Sequence, residues 1–371
     1  MPPKILILTV SHGASHERAA AALGKALLEA RPDLMVEAWN GLERSARWFR
    51  LYYDSYQIPL RYWPRLWGWI EGVQHRSRSS GPGWLYRRGA EPLFGDIETF
   101  GADVVIATEV GMCELAAMLK REMAARFRLV AVVTGVDADR AWAQPEVDLY
   151  VTAPGDPAAE LEAAGVPRAK VLPCGQPVDP AFASLPDKPT VRARLGIRPD
   201  LRMVLVLFGG AGWGKPRRIV DALNQVKRPL QAVFVTGCNR RLQEEVQSLC
   251  RDDGRCRVLG WVDNMHEWMA AADLLVSKPG ASALIEALDC GLPLLAIDPL
   301  PGNERRACEW IEKQRVGYWI KDPQSLGPSI ARLLENPAGL DRLRERAQAL
   351  ARPRAAYDAA EAILELLGSN R

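Results

Sequence analysis

Two series of apolar runs alternating with amphipathic stretches divide this chain. Residues 4–10 are almost wholly apolar, as a strand covered on both faces of a parallel sheet requires. A short turn, 11–16, leads into an Ala/Leu-rich stretch that reads as a helix to about residue 30, where Pro32 stops it. Residues 35–39, 103–108, 129–134 and 147–152 have the pattern of further strands, with a helix-like 112–126 among them. A second series starts with a strand at 203–208, a glycine loop at 209–214 and a helix at 217–225. Strands at 231–236, 258–261, 274–276 and 294–297 and a helical tail over about 340–367 complete it. Between the two series, Pro173, Pro177, Pro180, Pro186, Pro189 and Pro199 mark a linker with one short helix. The expected organisation is a doubly wound α/β domain over 1–175, a linker over 176–200, a second such domain over 201–337, and terminal helices over 338–371. Open parallel sheets bind ligands beyond the carboxyl ends of their strands, so a cleft between the two domains is the expected active site.

Composition narrows the class. With 371 residues, 48% of them hydrophobic and 25% charged, the chain has the make-up of a soluble globular protein of two domains. No apolar run is long enough to span a bilayer, and the first residues read as a strand, not a signal peptide. Seven cysteines without any C-x-x-C pair predict reduced thiols, a cytoplasmic location and no zinc site. The net charge of +3 hides an asymmetry, because residues 44–88 hold nine arginines and only two acids. Five of the twelve tryptophans and five of the eight tyrosines also lie there. Within that segment Trp63, Arg65, Trp67 and Trp69 combine rings and guanidinium groups in the manner of an anionic bilayer interface. A domain-packing insertion and a nucleic-acid contact are the alternatives, and nucleic acid is not expected as a partner.

Several positions carry candidate chemistry. The loop from Gly209 to Lys215 is one residue short of a Walker A loop and continues into Pro216, which has neither hydroxyl nor N–H. It is either a tight strand-to-helix turn or a loop whose amides, near Gly210 and Gly212, approach a phosphate or sugar. Residues 277–287 turn through Pro279-Gly280 into a helix. Its first amides, at Gly280, Ala281 and Ser282, suit a pyrophosphate, and Glu286 one turn on suits a ribose diol. Ser282 as a mere cap and Glu286 as a solvated acid are the plain alternative. His16, at the start of the first helix, is placed to remove a proton near neutral pH, with His12 a weaker candidate. Asp137 and Asp139 have a D-x-D spacing that no other candidate ligands accompany, so no metal is expected.

In combination these residues resemble the family 28 glycosyltransferases, in particular the monogalactosyldiacylglycerol synthase and processive diacylglycerol glucosyltransferase group. The likeness is carried by 11–23, Thr134, Trp142, Pro145, Asp148 and Tyr150, then by Gly175-Gln176-Pro177-Val178 and Gly237-Cys238-Asn239. It continues through 259–265, Lys278-Pro279-Gly280, Glu286-Ala287 and Pro301-Gly302-Asn303-Glu304. The resemblance implies a glycosyltransferase-B fold, two Rossmann-like domains facing a cleft, with no cofactor beyond a UDP-sugar donor substrate. It implies uracil against Trp261, Val262 and Met265, ribose on Glu286, pyrophosphate at 280–283, and the sugar read by Asn303 and Glu304. Gly210, Gly212 and Asn239 belong to the same donor site. His16 would be the base in an inverting transfer of a hexose to a lipid hydroxyl such as that of diacylglycerol. The chain would then work at the inner face of the cell membrane, bound peripherally. Gly135, Ala283, Asn303 and Ala307 depart from the family pattern. They motivate a second reading, a homologue that binds nucleotide or membrane without catalysis; a UDP-sugar epimerase is a third.

Overall fold

The computed structural model of the chain describes all residues except 1, 12–13, 56, 80, 124, 211, 213 and 369–371, and the side chains of 57, 60, 61 and 64. It separates into two compact units, one of residues 1–180, 301–303 and 352–371, the other of residues 181–300 and 304–351. His12, Ala211 and Trp213 lie outside the described residues.

In the first unit the chain runs β1 (Lys4–Thr9), α1 (Ala14–Ala30), β2 (Met35–Asn40), α2 (Arg47–Asp54), α3 (Gln57–Tyr62), α4 (Pro64–Arg76) and α5 (Gly83–Phe100). It continues through β3 (Val104–Ala107), α6 (Val110–Glu122), β4 (Arg128–Val132), β5 (Leu149–Val151), α7 (Asp156–Ala163) and β6 (Val171–Leu172). The six strands form one parallel sheet in the order β2-β1-β3-β4-β5-β6. Side chains alternate between its faces, as strand geometry dictates. Leu6, Leu8, Val105, Leu129 and Ala131 pack with α5 and α6, while Ile5, Ile7, Ile106, Val130 and Val132 pack with α1. Both faces are covered, which is why β1 reads as an unbroken apolar run. The basic aromatic segment becomes three short helices, α2 to α4, and the start of α5.

The second unit comprises α8 (Lys188–Leu195), β7 (Arg202–Leu207), α9 (Pro216–Asn224), β8 (Leu230–Val235), α10 (Arg240–Leu249), β9 (Cys256–Leu259) and α11 (Met265–Ala271). After these come β10 (Leu274–Ser277), α12 (Ala281–Asp289), β11 (Leu294–Ala296), α13 (Asn303–Gln314), β12 (Gly317–Trp319), α14 (Leu326–Glu335) and α15 (Pro337–Leu350). The sheet order is β12-β11-β10-β7-β8-β9, again all parallel. Val204, Val206, Phe234, Leu274 and Val276 form its core with α9 and α14.

The linker region is shorter than the proline spacing implies, since α8 packs on α11. The helical tail breaks at residues 351–354, and α16 (Ala355–Gly368) packs on α1 in the first unit. Ala356, Ala359 and Ala360 face Ala20, Leu23, Ala26 and Leu27 in one apolar cluster, and small residues let two helices approach closely.

One buried charge organises the second unit. Asp273, between α11 and β10, is 2% exposed. Its carboxylate accepts from Lys188 Nζ at 2.7 Å, Arg192 Nη2 at 2.6 Å and the Met203 amide at 2.7 Å. Burial alone would raise its pKa, but Lys188, the Met203 amide and Arg192 hold it below the usual carboxylate value. Asp273→Ala leaves these cations without a partner and is expected to cost about 3–5 kcal/mol. Because the folded pKa is depressed, the stabilisation is present above the ordinary aspartate pKa and is lost as pH falls through the folded value. Urea titrations at neutral and acidic pH should show a large penalty at neutral pH that shrinks in acid.

Candidate active site

Each sheet has a point where the strand order reverses, and ligands collect beyond the carboxyl ends of the strands there. In the first unit this point lies between β1 and β3. The turn after β1 opens α1 and brings His16; the residue after β3 is Thr108, buried completely. His16 bridges the two, because its Nδ1–H donates to the Thr108 carbonyl at 2.7 Å. The Thr134 hydroxyl, just beyond β4, lies 3.0 Å from the same nitrogen. A carbonyl can only accept, so the proton of the neutral ring sits on Nδ1 and Nε2 keeps its lone pair. This is the tautomer a general base needs, and it is set by the carbonyl of Thr108, which the sequence pattern did not single out, with Thr134, one of the positions that carry the likeness, beside it.

Other motif residues of this unit serve as scaffold. Trp142 and Tyr150 are buried in the core, where the Tyr150 hydroxyl donates to the Gln144 carbonyl at 2.8 Å. Asp148 binds Lys120 at 2.5 Å and the Leu129 amide at 2.8 Å. Asp139 is paired with His75, and among the described residues no group of three or more His, Cys, Asp or Glu could hold a metal ion.

The second unit reverses its strand order between β7 and β10. The glycine loop follows β7 and Gly280 follows β10, so the two motifs flank the switch point. Gly280 is the N-cap of α12 and, having no side chain, cannot itself cap the first amides of the helix. Ser282 and Glu286 lie one turn apart on α12, 6% and 4% exposed; the N-cap is Gly280 and not Ser282, and Glu286 is not the solvated acid of the plain alternative. Gly212 has φ +64°, and a Cβ there would stand 2.5 Å from the Thr236 carbonyl oxygen. The Asn239 amide donates to the Gly212 carbonyl at 3.0 Å while its oxygen caps α10 by accepting from the Leu242 amide at 3.0 Å. Asn239 thus ties Gly212 to the turn after β8, and the Cys238 amide ties Gly210 there as well, donating to its carbonyl at 3.2 Å.

The loop after β9 exposes Trp261, whose indole donates to Asp263 at 2.9 Å. Val262 is half-buried and Met265, at the start of α11, is buried. Asn303 is exposed at the start of α13, and Glu304 accepts from the Leu300 amide at 2.6 Å. Burial pushes the Glu304 carboxyl above its usual value against the pull of that amide and of Lys278. Lys278 therefore places a cation beside Glu304, and the motif K-P-G that contains it was the available signal.

Of the proposed interfacial residues, Trp63 and Trp69 are 59% and 68% exposed and Arg65 is exposed, whereas Trp67 is half-buried. Leu66, Trp69 and Val73 share one exposed face of α4, while Trp67, Glu71 and His75 form the inward stripe. Ten of the fifteen large exposed hydrophobic residues described lie between Trp48 and Trp84. Among the described residues no helix is long and apolar enough to cross a membrane.

Two parallel six-stranded sheets with these switch points have the glycosyltransferase-B architecture, and comparison with solved structures agrees. MurG of Acinetobacter baumannii superposes with a TM-score of 0.65 at 14% identity, covering 98% of this chain and 100% of that one. HepE of Anabaena, crystallised with UDP-glucose, gives 0.57 at 18% identity over 99% of each chain. The UDP-GlcNAc 2-epimerase of Neisseria meningitidis, bound to UDP-GlcNAc, gives 0.61 at 14% identity, covering 98% and 100%. Residues 16–178 match the family model for monogalactosyldiacylglycerol synthase, and residues 204–336 that for glycosyl transferases group 1. The chain is a hexosyltransferase of glycosyltransferase-B fold.

Within that class it is similar to the monogalactosyldiacylglycerol synthases and processive diacylglycerol glucosyltransferases. It is 23% identical to the processive diacylglycerol beta-glucosyltransferase of Bacillus mycoides over 98% of this chain and 93% of that one. The protein of that name from Staphylococcus saprophyticus is 27% identical over 64% of this chain, which spans 61% of its length. A probable monogalactosyldiacylglycerol synthase 2 of rice is 31% identical over 52% of this chain and 43% of its own.

The double bond-making of Asn239 gives a direct test. Asn239→Ala removes the α10 cap and the bridge to Gly212, and should cost about 1–2 kcal/mol in denaturant unfolding. UDP affinity, read by calorimetry, should fall further than stability alone explains, because the glycine loop loses its tie.

Proposed function

We propose that the chain transfers a hexose from a UDP-sugar to the hydroxyl of a lipid acceptor such as diacylglycerol, with inversion, at a membrane surface. The observation that carries this reading is the His16 imidazole held through Nδ1 by the Thr108 carbonyl, with Nε2 open as a base. In the reaction Nε2 takes the acceptor proton as the hydroxyl oxygen attacks the anomeric carbon from the face opposite the leaving group. The bond from that carbon to the diphosphate breaks, and the first amides of α12 take up the charge that develops on UDP. Glu286 suits the ribose diol, the backbone of Trp261 and Val262 with Met265 the uracil, and Asn303 with Glu304 the sugar hydroxyls. Gly210 and Gly212 line the donor side, shaped by Asn239.

The lipid acceptor is supported by the names of the relatives, which act on diacylglycerol, and by the exposed aromatic face of the first unit. There Trp63 and Trp69 would enter the headgroup layer with Arg65 on lipid phosphate. The UDP-sugar is supported by HepE, which was crystallised with UDP-glucose. The likeness to a UDP-GlcNAc 2-epimerase keeps one second reading in view, isomerisation of the donor without an acceptor.

Incubation with UDP-glucose, UDP-galactose or UDP-N-acetylglucosamine and diacylglycerol vesicles should yield glycolipid from one of the donors. Donor interconversion without acceptor would favour the epimerase, and no turnover of any donor the degenerate homologue. His16→Ala should keep UDP binding and lose roughly 10²–10⁴-fold in turnover; undiminished turnover would remove His16 from the mechanism.

A further inference from the structure

The aromatic insertion presents an apolar face outward, yet two of its side chains reach inward to the loops that hold His16. The first is Tyr53, near the end of α2. Its hydroxyl donates to Glu109 Oε1 at 2.8 Å, and the other carboxylate oxygen caps α6 by accepting from the Met112 amide at 3.0 Å. Glu109 is 7% exposed and directly follows Thr108, whose carbonyl grips the His16 ring. Burial and the Glu109 charge push the Tyr53 phenol well up, so it stays a donor. Gly111 leaves room for it, because a Cβ there would collide with the Tyr53 oxygen.

The second is His75, on the inward stripe of α4, whose Nδ1 pairs with Asp139. Asp139 occupies the N-cap of the turn Arg140–Trp142 but does not use its side chain as a cap. An aspartate in that position ordinarily bonds locally, and here the carboxylate is turned to α4 instead. Asp139 closes the loop that begins at Thr134, the other partner of His16. That loop is pinned twice more, by Gln176 accepting from the Gly135 amide at 2.8 Å and by Glu160 accepting from the Ala138 amide at 2.6 Å. Both loops that touch the imidazole are therefore gripped by the same 44–88 segment, one from α2 and one from α4.

We infer that Tyr53 and His75 are positioning residues for His16: through Glu109 and Asp139 the lipid-facing insertion sets the two loops that hold the imidazole. The inference rests on the reading of His16 as the base, and it gives that reading a requirement. The base stands in its productive place only while the insertion is docked on the sheet end. An insertion serving as a membrane anchor alone would need neither contact.

The test uses the full chain labelled with [ε1-¹³C]histidine. Its four histidines give few signals, and that of His16 is assigned by its loss in His16→Gln. Tyr53→Phe and His75→Ala are compared with wild type, each checked for folding by circular dichroism, with His75→Lys supplying another hydrogen-bond donor to Asp139. The His16 signal should shift or split in Tyr53→Phe and in His75→Ala, and return toward wild type in His75→Lys. Turnover should fall roughly ten- to hundredfold, as for a misplaced catalytic group, with KM for the UDP-sugar unchanged. A His16 signal unmoved in both variants overturns the inference even if turnover falls, because the contacts would then be merely structural. A moved signal in a chain that transfers no sugar supports the positioning and sinks only the functional reading.

Discussion

The hydrogen bond from His16 to the Thr108 carbonyl is the constraint on which the rest of this structure turns. It joins the ends of two neighbouring parallel strands at the point where the sheet changes direction. Its geometry follows from the register of β1 on β3, in which Leu8 lies beside Ala107. That register is set in turn by two strands whose side chains are buried on both faces, where a slip by one residue would swap every side chain onto the opposite packed face. A backbone carbonyl has no proton to give, so the ring has one neutral tautomer and one free lone pair. The chemistry of the first unit thus rests on backbone position and hydrophobic register before it rests on any side chain.

The second unit solves a different electrostatic problem with the same architecture. On the proposed reading a departing diphosphate needs positive potential, and α12 starts at Gly280, where a serine, threonine or aspartate would have brought a capping side chain. The loops around it are short of freedom. Gly212 with its positive φ and the Asn239 bridge fix the glycine loop, while Asp273 ties α8 to the amino ends of β7 and β10 at the other end of the sheet. Burial pushes the Glu304 carboxyl toward its neutral form against the pull of the Leu300 amide and Lys278.

The repeating architecture was legible in the chain because parallel strands covered on both faces must be written as apolar runs. The start of α12 was legible for a related reason: Pro279-Gly280 after such a run admits few alternatives. Local motifs therefore pointed to Ser282, Glu286 and His16. What they could not show was who holds whom. Thr108 and Thr134 lie 92 and 118 positions from His16, and His75 meets Asp139 across 64; no local spacing encodes such partners. Asn239, read as a donor contact, also bridges to Gly212 and caps α10, partners that no local spacing announces. Trp67, grouped with its neighbours by composition, turns to the inward stripe of α4. The tail's return to α1 was hidden as well, since its alanine face looks like that of any good helix.

The tautomer of the His16 ring decides whether Nε2 can act as the base. Long-range ¹H–¹⁵N correlation of the histidine side chains in the full chain, at a pH where His16 is neutral, reads the tautomer directly. The account predicts a protonated Nδ1 and a bare Nε2 for His16. A bare Nδ1 with the proton on Nε2 would contradict it, for the nitrogen assigned to take the acceptor proton would already be occupied.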